Sequence, residues 1–400
     1  MTDPNGRICT PLSNAELQRR WSATRKRMEE EGVDALVVQG ANSMTGGGAY
    51  LRWLTGLVAL SSQPQAVIVP KEGLMTLVGH GPLNEESTLD GTNPESPGVG
   101  RRVSTPSFPS VGYTGRYDAE LLAREIKRGG FRTVGLVGPN NMYYGPISQM
   151  QALVGSSAKV IDATDLVDGI IAIKSDEEIA LIRRTADMQD KVFAKVRKHI
   201  RPGMKDFEVM AYAQYEGQLL GSETGYYLGC SAAPGQPLGH RTRPYQGREI
   251  CEGDLFMWQS ETTGPGGYFV HLARIFALGK IPQDIADVYG ALMEAQQYTM
   301  KLLKPGASSS EIFKEYNAYM KARGLPEESR LHCHGQGYPS VERPLVRFDE
   351  TMPIAARMNM GIHPCVANKQ MFVTLCDNFL THADGTVERL HKCPQEIVAL

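Results

Sequence analysis

The chain has 400 residues, 42% hydrophobic and 22% charged, and a net charge of −2. That length gives room for two domains with separate cores, and the balance of charge excludes nucleic acid or an acidic membrane as a charge-driven partner. No stretch approaches the roughly 18 apolar residues of a membrane span, and the segment from Met1 to Pro11 has no apolar run that a signal peptide needs. Seven scattered cysteines, with no CxxC pair, are expected to stay reduced in a cytoplasmic protein.

Ser13 with Glu16 is a capping-box signature opening a helix, along which Leu17, Trp21 and Met28 recur at helical spacing. Apolar runs at 35–38, 66–69, 76–78 and 134–137 predict buried strands, so the first part reads as an α/β domain over residues 1–172. Residues 79–115, rich in Gly, Pro and Ser, read as one long loop. Ser175 with Glu178 forms a second capping box ahead of Ile179, Ile182 and Ala186, and opens the second domain, 173–400. Helices are predicted at 206–220, 283–303 and 309–322, the last capped by Ser308 with Glu311. Strands are predicted at 254–261, 267–276, 357–363 and 371–380. Helices and strands mix without strict alternation, which predicts an α+β chain.

The chemistry-bearing residues cluster in the last third. The run Gly253-Asp254-Leu255-Phe256-Met257-Trp258-Gln259 leads through Gly264-Pro265-Gly266-Gly267 into Tyr268-Phe269-Val270-His271-Leu272-Ala273-Arg274. A Gly/Pro turn predicts a hairpin with Gln259 and His271 on neighbouring strands, and alternation puts Phe269, His271 and Ala273 on one face. Further on come His334-Gly335-Gln336-Gly337, Glu342 with Pro344, Ile362-His363-Pro364 and Leu375-Cys376-Asp377. Imidazole and thiolate are metal-capable groups.

These segments resemble the metal-binding segments of the creatinase / aminopeptidase P / methionine aminopeptidase superfamily. Tyr50-Leu51-Arg52-Trp53-Leu54-Thr55-Gly56, the run 173–179 and Cys393-Pro394-Gln395-Glu396-Ile397 resemble it too, so the likeness spans nearly the whole chain and is strongest from 240 to 397. It implies a creatinase-type N-terminal domain followed by a pita-bread catalytic domain. Metallopeptidases of the superfamily hold two metal ions with two Asp, one His and two Glu. Here His334 matches the His, while Gln259, His271, His363 and Cys376 stand at the four carboxylate positions. Arg274 matches a family Arg, His240 falls where a His lines the active site, and Val341 replaces a His that helps bind substrate. His and Cys make up about 4% of the chain, so three of them at four replaced positions favour a re-tuned metal site over accident.

Two divalent ions need bridging carboxylates, which neutral imidazoles cannot supply. Three imidazoles, with or without the Cys376 thiolate, suit one divalent ion, zinc or iron(II). The expected activity is hydrolysis of a C–N bond in a small-molecule substrate. His271, His334, His363 and Cys376 are the candidate ligands, His240 and Glu342 the catalytic acid/base groups, and Gln259, Arg274 and Trp53 the substrate contacts. Trp53 also reads as a core aromatic, and Cys376 as a small buried hydrophobe. His332 and Cys333 read as neighbours rather than ligands, and His382 and His391 as surface groups. The resemblance further implies a homodimer. Elimination, iron-dependent oxidation, metal-free creatinase-like hydrolysis and a non-catalytic peptide-binding role remain alternatives.

Overall fold

The computed structural model describes residues 10–40, 48–58 and 63–400, so most of the segment read as lacking a signal peptide lies outside the described residues. Contacts divide the chain into two units, one over Pro11–Ile171 and one over Ala172–Leu400.

In the first unit, α1 (Asn14–Glu30) begins where the Ser13 side chain accepts a hydrogen bond from the Glu16 N–H at 3.1 Å. The Glu16 carboxylate takes Arg19 and the buried Arg20, and Arg20 in turn donates to the Trp53 carbonyl. The chain continues through β1 (Ala35–Gly40), α2 (Ala49–Thr55), β2 (Gln65–Pro70), β3 (Met75–His80), β4 (Glu86–Thr88), β5 (Val99–Thr105), α3 (Gly115–Arg128), β6 (Thr133–Val137), α4 (Tyr144–Val154), β7 (Lys159–Asp162) and α5 (Thr164–Ile171). The strands form one sheet in the order β4-β5-β3-β2-β1-β6-β7, with β1 antiparallel to β2 and parallel to β6. Two of these strands correct the long-loop reading of 79–115. In β5, Gly100, Arg101 and Arg102 interrupt the apolar pattern between Val99 and Val103, which hides the strand from a periodicity argument. Trp53 is also corrected: at 1% exposure, with the Arg20 guanidinium 5.1 Å above its ring, it has no surface to offer a substrate.

The second unit opens with α6 (Asp176–His199), where Ser175 and Glu178 complete both limbs of the capping box. It continues through α7 (Asp206–Leu219), β8 (Gly225–Ala232), β9 (Leu255–Thr263), β10 (Phe269–Ala277), α8 (Gln283–Leu302), α9 (Ser309–Ala322), β11 (Cys333–Gly335), β12 (Glu342–Leu345), β13 (Asn359–Ile362), β14 (Cys365–Ala367), β15 (Phe372–Thr374), β16 (Asp377–Thr381), β17 (Val387–Arg389) and β18 (Val398–Ala399). Two sheets carry the architecture, β18-β10-β9-β8 and β12-β11-β13-β16-β17. Every residue of β10 is buried, because both faces of the strand are covered. Phe256, Trp258, Leu272 and Phe276 pack with Val192, Phe193 and Val196 of α6, each large apolar side chain contributing about 1.5–3 kcal/mol. The segment 371–380, read as one strand, breaks into β15 and β16 at Leu375 and Cys376, where Cys376 instead exchanges backbone bonds with Ala273 of β10.

Candidate active site

The two sheets meet at a cavity of ≈360 Å³ lined by His240, Gln259, Glu261, His271, His334 and His363, with Arg330 and Phe372 also along it. His271 comes from β10, His334 from β11, and His363 from the residue just after β13. The ring centres of His271 and His334 are 5.1 Å apart, those of His334 and His363 5.0 Å, and those of His271 and His363 6.2 Å. The sequence therefore identified three imidazoles that do converge.

Buried amides hold the strands that carry these rings. Asn378 accepts the His271 backbone N–H at 2.7 Å and donates through Nδ2 to Gln336 Oε1 and Asn359 Oδ1. Asn359 donates back to the Gln336 carbonyl, closing a network across β10, β11, β13 and β16. Gly335 serves this packing by its size: a Cβ there would stand 2.6 Å from the Arg343 carbonyl oxygen. His334 lies with Nδ1 2.9 Å from the Gly335 carbonyl oxygen, an arrangement in which Nδ1–H donates and Nε2 keeps its lone pair.

Sequence reasoning missed Glu261. It is the register partner of His271 in the β9–β10 ladder, and its Oε1 lies 2.9 Å from His271 Nε2. The two atoms are at hydrogen-bond distance but out of hydrogen-bond alignment, so both ring nitrogens of the buried His271 lack an aligned partner. Strand alternation could have found Glu261, which sits two residues beyond Gln259 on the same face. Burial alone would raise the Glu261 pKa, but the nearby His271 and His334 rings and a hydrogen bond with Ser340 outweigh it and bring it down to about 2. Burial, reinforced by His271, lowers His334 to about 4, and burial with the same neighbours holds His363 well below the usual value. Both shifts favour the neutral ring at His334 and His363, the state in which imidazole donates a lone pair.

The structure corrects several other placements. Cys376 lies in the apolar cluster with Met257, Ala273 and Leu375 rather than along the cavity, and burial pushes its thiol far up. Arg274 is fully buried and spends its guanidinium on the carbonyls of Ala273, Cys376 and Pro394 and on Asp377, at 2.7 Å, so it cannot reach a substrate. Glu342 is not among the cavity-lining residues; its carboxylate pairs with the buried Lys174, while Val341 lines the cavity in its stead. His391, read as a surface group, is buried between Gln189 and Asn378. His332 is a neighbour, as read, stacked on Tyr316 at 3.5 Å.

The profile of metallopeptidase family M24 matches residues 180–383. The chain belongs to this family. Among similar proteins, an uncharacterized hydrolase/peptidase, y4tM of Sinorhizobium fredii, is 27% identical over 97% of this chain and 98% of its own. The Xaa-Pro dipeptidase of Bacillus anthracis shares the fold with a TM-score of 0.75, at 18% identity over 96% of this chain and 100% of its own. Dipeptidase PepE of Mycobacterium ulcerans does so with a TM-score of 0.76, at 19% identity over 98% and 99%. The fold is therefore that of the pita-bread superfamily, with a further N-terminal domain.

M24 membership implies use of a divalent metal. The donor set here does not fit a two-ion M24 site: Gln259 is neutral, the Cys376 thiol is held protonated, and the bridging carboxylates are missing. It fits one ion better. A metal–nitrogen distance of about 2.1 Å places neighbouring ring centres of a four-coordinate site about 5 Å apart, which two of the three spacings match and the third exceeds. Among the described residues, however, no three His, Cys, Asp or Glu side chains have donor atoms already gathered to hold an ion. The ring centres are the better guide, because rotation about the last side-chain bond redirects the nitrogens while barely moving the centres. The orphaned nitrogens of His271 point the same way.

Proposed function

We propose that this M24 enzyme hydrolyses a C–N bond of a small polar molecule, using one divalent ion, zinc or iron(II), held by His271, His334 and His363. The observation that carries this reading is the convergence of three imidazoles, those of His271 and His334 buried and that of His363 half-buried, on one cavity of ≈360 Å³. A cavity of that size suits a small molecule, and relatives named hydrolase, peptidase and dipeptidase support the reaction class. When bound, such an ion supplies Lewis-acid polarisation and lowers the pKa of water to about 7.

The remaining steps fall to this chain's own groups. His240 lines the cavity edge-on to Phe372 at 4.8 Å, and burial lowers it to about 4, so its neutral ring is placed to take up a proton and pass it to the leaving nitrogen. The Gln259 amide orients polar groups of the substrate. The exposed Arg330 guanidinium offers a cation to a substrate carboxylate. Leu228, Val341 and Phe372 supply apolar walls that exclude water from the bond being cut. Homodimerisation belongs to the same proposal, and sedimentation equilibrium checks it.

The test is metal content after the protein is equilibrated with a weak chelator. About one ion per chain, together with hydrolysis of dipeptides or small amides, supports the reading. Two ions per chain, or none, overturns it.

A further inference from the structure

The geometry points to Glu261 as the anionic ligand of that ion, replacing in function the carboxylates this chain has lost. This rests on the one-ion reading above and adds a ligand at a position not among the five family metal positions matched here.

Three observations support it. The first is register: Glu261 stands directly opposite His271 in the β9–β10 ladder, so both side chains project from the same face. The second is the contact between them. Oε1 and Nε2 are 2.9 Å apart, and neither His271 nitrogen has a partner elsewhere. Rotation of the ring about its last side-chain bond would turn the lone pairs of both groups towards a common third point. Metal–ligand distances of about 2.0–2.2 Å then leave about 3 Å between donors on adjacent positions. The third observation is support from behind: Gln259 Nε2 donates to Glu261 Oε2 at 3.3 Å, which helps orient the carboxylate, and Oε1 is the oxygen nearest His271. Gln259, at a former metal position, becomes a positioning residue for the new ligand.

Charge gives the reason such a ligand is needed. Three neutral imidazoles leave a divalent cation wholly uncompensated in a buried site, whereas one carboxylate halves the net charge.

The experiment titrates metal-free full-length protein with Co(II), following both affinity and the visible ligand-field spectrum. Glu261→Gln keeps the size and removes the charge. It is expected to weaken Co(II) binding by at least about 10- to 100-fold and to change the spectrum. Glu261→Asp, which keeps the charge on a shorter arm, should recover part of the affinity with a shifted spectrum. Wild-type affinity and spectrum in folded Glu261→Gln overturn the inference and leave the one-ion reading standing. Failure of the wild-type protein to bind Co(II) overturns both.

Discussion

His271 and Arg274 sit three residues apart on the same strand, both buried, and they have opposite fates. The Arg274 guanidinium meets three backbone carbonyls and a carboxylate. The His271 ring has no aligned partner for either nitrogen and faces a cavity. Buried polar groups are nearly always bonded, so the saturated residue marks structure and the unsaturated one marks function. Family resemblance alone gave Arg274 and His271 similar standing.

Removing each in turn tests that contrast. Arg274→Ala removes the fully buried partner of Asp377, leaving it Arg389 at 3.0 Å and Gln395, and should cost about 3 kcal/mol in urea unfolding. Burial alone would raise the Asp377 pKa, but Arg274, with His391 and Arg389, outweighs it and holds it below the usual value. A carboxylate with a depressed folded pKa contributes stability above its unfolded pKa of about 4 and loses it as pH falls through the folded value. The Arg274→Ala penalty should therefore be full at neutral pH and shrink in acid below about pH 4. A penalty that stays constant with pH would show that the ion pair is not its source.

Smaller effects sharpen the comparison. Cys376→Ser puts a hydroxyl into an apolar cluster and should cost about 1–3 kcal/mol, with metal per chain unchanged. Loss of metal in that variant would restore the thiolate to the ligand set. His271→Ala removes an unsatisfied ring and should alter stability by no more than about 1 kcal/mol, while metal per chain falls from one to none. If that variant retained the metal, the contrast between the two residues would fail.

The parts legible in the sequence were those set by local chemistry. Ser175 and Glu178 fix the start of α6 within one turn, and Gly and Pro at 264–267 fix the hairpin that brings β9 beside β10. The three imidazoles were legible because each sits in a short segment with its own signature. Glu261 was legible only as a residue on the face of Gln259; its partnership with His271 was not, because that depends on cross-strand register, which one residue of slip in the turn would change. Cys376, Arg274 and Glu342 sit in the same family-like segments as the cavity residues. Whether a side chain faces the cavity or the layer behind it is decided by packing, and no local pattern records that. β5 escaped for a related reason, its outward residues breaking the alternation that would announce a strand.

The amide network behind the rings has one more consequence. Gln336, Asn359 and Asn378 are all buried and none of them ionises between acid and alkaline extremes. The frame that spaces the three imidazoles is therefore indifferent to proton concentration. Acidifying the solution can protonate what lies along the cavity without touching these amides, and any acid weakening between β10 and β16 comes through the Arg274–Asp377 pair instead.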